Sequence, residues 1–188
     1  MEEDQPKKKK ADKGRETLFR VSYQNQGNLI QMADNKANII ISINTMIISS
    51  IIAITGYGAI AGQINRYDSM VIIPLFLIIL SCLTSTILGI QAARPKLIIG
   101  DQATGTIQKQ SLLFFGTIAK FTQDGYVDEM KKLLDSENEL YEHMTIDIYN
   151  QGIILKRKYL MLGYAYFVFM FGFIFSVLVF LGFFALGN

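Results

Sequence analysis

Three long apolar runs interrupt an otherwise polar chain, at residues 38 to 60, 70 to 93 and 159 to 187. A helix needs roughly 20 apolar residues to cross a hydrocarbon layer of ~30 Å, and soluble cores rarely string together that many without a charge. The pattern predicts an all-α integral membrane protein with three transmembrane helices. Residues 94 to 158, between spans two and three, are expected to form a small, mainly helical cytoplasmic unit of marginal length for an independent core.

Within this frame, residues 1 to 15 mix acidic and basic residues around Pro6 and Gly14 and are expected to be disordered. From Glu16 the spacing of Leu18, Val21, Leu29 and Met32 predicts a cytoplasmic helix that continues into span one and ends near residue 60. In that span Asn38, Ser42, Thr45 and Ser49 stand four, three and four residues apart, which puts them on one stripe that extends back to Asp34. Such a stripe faces another helix or a wet space, because lipid does not satisfy polar groups. Self-bonding and packing are the first reading of it, a pore lining the second. In span two, Ser81, Ser85 and Gly89 form a small-residue seam, expected to join copies of the chain into a homo-oligomer. Pro74 is expected in the first turn of that helix, where a missing N–H is harmless. Span three is apolar on every face and is expected to meet lipid. Ser136 and Glu139 have the capping-box spacing, so a helix starts near Ser136 and no proline interrupts it before the end of the sequence.

The chain has 188 residues, 51% of them hydrophobic and 18% charged, which leaves room for one domain. Of its 18 Lys and Arg, eight lie in residues 1 to 38, nine in residues 93 to 161, and Arg66 alone in the short loop between spans one and two. Cytoplasmic flanks collect basic residues, so the N-terminus is expected inside and the C-terminus outside. The early lysines stand too far before the first apolar run for a signal peptide.

Little in the chain resembles reaction chemistry. Cys82 is the one cysteine and sits within span two, where it reads as an apolar filler. His143 has Glu139 and Asp147 one helical turn to either side, but one histidine with two carboxylates is a poor metal site. No phosphate loop, nucleophile elbow or metalloprotease motif is present, so no catalysis, metal or cofactor is expected. The segment 124 to 147 holds eight acidic residues against Lys131 and Lys132, as solvated helix faces do. Basic residues cluster at the inner membrane edge: Lys36, Arg94, Lys96, Lys156, Arg157 and Lys158. They suit lipid phosphates, or else they converge on an anionic cytoplasmic ligand.

Four phrases resemble one family: Leu29 to Ile47 (LIQMADNKANIIISINTMI), Ala93-Arg94-Pro95, Leu112 to Ala119 (LLFFGTIA) with Tyr126 after it, and Ile146 to Tyr159 (IDIYNQGIILKRKY). Together they look like the transmembrane effectors of Pycsar antiphage defence, PycTM, over residues 25 to 180. The resemblance implies a bacterial inner-membrane protein paired with a pyrimidine cyclase that makes cyclic CMP or cyclic UMP upon infection. The nucleotide then activates the effector, which impairs the membrane and causes abortive infection. The six basic residues are the candidate nucleotide contacts, since no cyclic-nucleotide-binding β-roll is recognisable, and nothing points to nucleic acid. A non-enzymatic scaffold that recruits a partner through its acidic helix is the alternative.

Overall fold

The computed structural model describes residues 4–61, 69–94 and 111–186, and among these every regular element is a helix. α1 runs Asp4–Ile60, α2 Ser69–Ala93, α3 Phe115–Ile118, α4 Gln123–Asp135 and α5 Glu137–Leu186. α1, α2 and α5 contain the stretches Asp12–Ile60, Val71–Ala93 and Glu137–Ala185, each long and apolar enough to cross a membrane. The protein is a multi-pass membrane protein, all-helical over the described residues. It divides into a polar unit, Met1–Gln31 with Pro95–Lys156, and a span unit, Met32–Arg94 with Arg157–Asn188.

α1 begins earlier than expected. Residues 4–15 are helical, not disordered. Pro6 falls in the first turn, where its missing N–H is harmless, and the lysines that follow are straight-chain residues that lose little rotamer freedom in a helix. Gly14 is the weakest helix former between them and Glu16.

In lipid, bringing helices together gains no hydrophobic free energy, so small residues and interhelical hydrogen bonds hold the span unit. The buried positions recur every three or four residues on α1 (Ala33, Ala37, Ile40 and Asn44) and on α2 (Cys82, Ser85, Gly89 and Ala92), and α5 adds Leu162, Ala165 and Ser176. Ala37, Ile40, Ala92 and Leu162 form the centre. Three serines donate across it. Ser85 Oγ reaches the Ala165 carbonyl at 2.8 Å, Ser81 Oγ the Val168 carbonyl at 2.9 Å, and Ser176 Oγ the Pro74 carbonyl at 2.7 Å. A Cβ on Gly172 would overlap Ser81, and one on Gly89 would press on Ile41 Cγ1 at 3.1 Å.

Two expectations change here. The seam Ser81, Ser85 and Gly89 is filled by α5 and α1 of the same protomer, because α5 offers a glycine and free carbonyl lone pairs there. Span three is thus apolar but not uniform, with one seam facing α2. Pro74 lies in the second turn of α2, one turn deeper than the first. Cys82 is buried within the helix contacts, as a small apolar filler would be.

The polar unit is built from short-range signals. Thr122 caps α4 by accepting from the Gly125 N–H at 3.3 Å. Val127, Met130, Leu133 and Leu134 then give α4 a helically spaced apolar face, and Leu133 is buried. Ser136 closes α4 and opens α5, its carbonyl accepting from the Leu140 N–H at 3.0 Å and its hydroxyl from the Glu139 N–H at 3.5 Å. Near the start of α5, Tyr141 stacks on Phe19 with ring centroids 5.4 Å apart, while the Arg15 guanidinium stands 5.8 Å from the Tyr141 ring. His143 Nδ1 accepts from the Leu112 N–H at 3.1 Å, so this histidine fixes the turn ahead of α3.

Candidate functional site

Within the span unit, one member of the basic set already has a partner. Lys158 forms an ion pair with Asp34. Its side chain is 11% exposed and that of Asp34 38%, so each charge is answered by the other rather than left open to a ligand. Asp34, counted on sequence grounds with the polar stripe, belongs to this pair instead. Lys36 stands over the Tyr159 ring at 5.8 Å, and its backbone carbonyl accepts from the Tyr166 hydroxyl at 3.1 Å. Arg94, Lys156 and Arg157 are exposed. Lys96 lies outside the described residues, as does Arg66.

The stripe Asn38, Ser42, Thr45 and Ser49 lies wholly on the exposed surface of the protomer. The seam on which α1 packs is Ala33, Ala37, Ile40 and Asn44, and the stripe follows it one residue later at most turns, about 100° around the helix. Thr45 Oγ1 donates to the Ile41 carbonyl at 2.8 Å, which answers its own donor but does not cover the face. Sequence reasoning missed Asn44. It is fully buried, donates through Nδ2 to Ser85 Oγ at 2.9 Å, and leaves Oδ1 without a partner. A single amide off the stripe gave no periodic signal.

In the polar unit a cavity of about 510 Å³ opens between the first part of α1 and the first part of α5. Glu16, Phe19, Arg20, Tyr23 and Gln24 wall one side, and Met144, Asp147 and Ile148 the other, with Leu113 closing it. These are helical positions, one face of each helix. Asp147 is 3% exposed; its Oδ2 accepts from Gln151 Nε2 at 3.0 Å, and its Oδ1 has no partner. Burial pushes its carboxyl above the ordinary carboxylate range, against a smaller downward pull from the Gln151 hydrogen bond. Sequence reasoning read Asp147 as a solvated acid and did not single out Phe19, Arg20 or Tyr23. The i, i+4 pair of Phe19 and Tyr23, with Arg20 between them, was the available signal.

Against this geometry, the Pycsar effector protein domain, PycTM, matches residues 17–186. The chain belongs to the PycTM family. No curated protein and no solved structure is detectably similar to it. The PycTM match takes in all three long apolar helices and, apart from Glu16, every residue of the cavity wall. PycTM domains are not known for catalysis. Among the described residues of this PycTM chain, no three of His, Cys, Asp or Glu come together as a metal site.

Proposed function

We propose that this Pycsar effector sits in the bacterial inner membrane and is activated by a cyclic pyrimidine mononucleotide, cyclic CMP or cyclic UMP, from a partner cyclase. Activation impairs the membrane and ends the infected cell before phage matures. The family supports the antiphage role. The observation that carries the membrane-impairing role is the exposed stripe Asn38, Ser42, Thr45 and Ser49. An amide and three hydroxyls turned toward hydrocarbon are costly. Setting the α1 faces of several copies against one another removes that cost and makes a continuous wet path.

The lopsided distribution of Lys and Arg supports a cytoplasmic N-terminus and polar unit, on the side where a nucleotide is made, and a periplasmic C-terminus. Arg94, Lys96, Lys156 and Arg157, with Lys36, then meet the phosphates of the inner leaflet. Nucleotide drives the change only as far as it binds the conducting arrangement better than the resting one.

Replacing Ser42, Thr45 and Ser49 together with Leu tests this reading in liposomes. The variant is expected to insert and to bind nucleotide like the parent, yet to release no ions, because an apolar lining seals by dewetting. Leakage equal to the parent's would assign the lesion to another part of the chain.

A further inference from the structure

We infer that the cyclic pyrimidine mononucleotide binds in the cavity walled by Phe19, Arg20, Tyr23 and Asp147 of the polar unit. The inference rests on the activation proposed above and places its sensor away from the basic membrane edge. Three observations carry it.

The first is size, since about 510 Å³ lies within the roughly 300–1,000 Å³ of small-molecule sites. The second is the free oxygen. Buried polar atoms in folded proteins nearly always have a hydrogen-bond partner, and Asp147 Oδ1 has none although the residue is 3% exposed. The residue lines the cavity, and with its other oxygen engaged by Gln151 the buried Oδ1 is the acceptor left for a ligand donor. A pyrimidine base edge provides such a donor, the N3–H of uracil or the N4 amine of cytosine.

The third observation is the order of groups along α1. Phe19 and Tyr23 stand one turn apart on the cavity wall, two aromatic rings of the kind on which a base stacks, and Phe19 is held in place by its stack on Tyr141. Arg20 lies between them on the same wall. A cyclic phosphodiester carries a single negative charge, which one guanidinium can answer with two hydrogen bonds. Glu16, one turn earlier, is an acceptor for a sugar hydroxyl, and Leu113, Met144 and Ile148 give the apolar remainder of the wall. A multiply charged nucleotide would find one cation and two carboxyl groups here, a poorer match than a monoanion.

Calorimetry on the full chain in nanodiscs, with cyclic UMP and cyclic CMP as probes, tests the site. Arg20→Ala and Asp147→Leu are each expected to weaken the tighter probe by about tenfold or more, the loss for a hydrogen bond involving a charged group. The double variant Arg94→Ala, Arg157→Ala is expected to bind like the parent. Thermal unfolding separates a lost contact from a lost fold, because Asp147→Leu removes a buried carboxyl and is expected to melt no lower than the parent. Parent-like binding by both cavity variants would overturn the site while leaving nucleotide activation standing. Loss of binding in the Arg94, Arg157 variant alone would move the site to the membrane edge. If the parent bound neither probe, site and activation would fall together.

Discussion

A buried carboxyl with one unpartnered oxygen is a burden on the resting protein, and Asp147 shows its sign. Its carboxyl is raised chiefly by burial, so the folded chain holds that proton more tightly than the unfolded chain does. Below the ordinary carboxylate pKa both states are protonated and Asp147 is neutral in its effect. As pH rises through the raised value, the folded state alone must bury a charge, and stability is lost. Asp147→Asn is therefore expected to melt above the parent at pH 7, with the difference shrinking toward pH 4. Paired melting curves across that range check it; a constant difference would mean that the charge is not the cause. A residue that destabilises the empty protein is common where a ligand later supplies the missing partner. None of this was legible in the sequence, where Asp147 stands among seven other acids of the segment 124 to 147 and nothing marks it as the one turned inward.

Among the elements, the three long helices were readable, whereas the short α3 and α4 and the packing partners of the long helices were not. Length and hydropathy found the three apolar helices, and Ser136 with Glu139 marked the start of α5, because these signals are local. The seam Ser81, Ser85 and Gly89 was visible as small residues, but its partner depended on Gly172 and on the Ala165 and Val168 carbonyls some 80 residues away. A close approach of this kind tolerates no added atom on one side unless one leaves the other. Gly172→Ala is expected to cost about 1–3 kcal/mol through overpacking against Ser81. Adding Ser81→Gly is expected to restore part of that loss. Thermal unfolding of the single and double variants in detergent measures both steps. A Gly172→Ala protein as stable as the parent would show that α2 and α5 do not meet there. The same reasoning explains why the polar stripe of α1 was found but its setting was not. Periodicity showed that Asn38, Ser42, Thr45 and Ser49 share a face, whereas only the packing of Ala37, Ile40 and Asn44 showed that this face is left open.

For the whole molecule, the proposed function requires a fixed orientation and a response to nucleotide. Single cysteines introduced at Lys10 and Glu137 are expected to react with an impermeant maleimide only from the cytoplasmic side, and one at Arg66 only from the periplasmic side. The prediction follows from 17 of the 18 basic residues lying in the segments placed inside. Periplasmic labelling at Glu137 would put the cavity of Asp147 out of reach of a nucleotide made in the cell. On the proposed function, this chain alone turns a cyclic pyrimidine mononucleotide into a membrane lesion. Ion efflux from liposomes that contain only the purified protein tests it most directly. Tight vesicles that begin to leak when cyclic UMP or cyclic CMP reaches the face carrying the polar unit are the predicted result. Vesicles with correctly inserted protein that stay tight with both nucleotides, or leak equally without them, would contradict it.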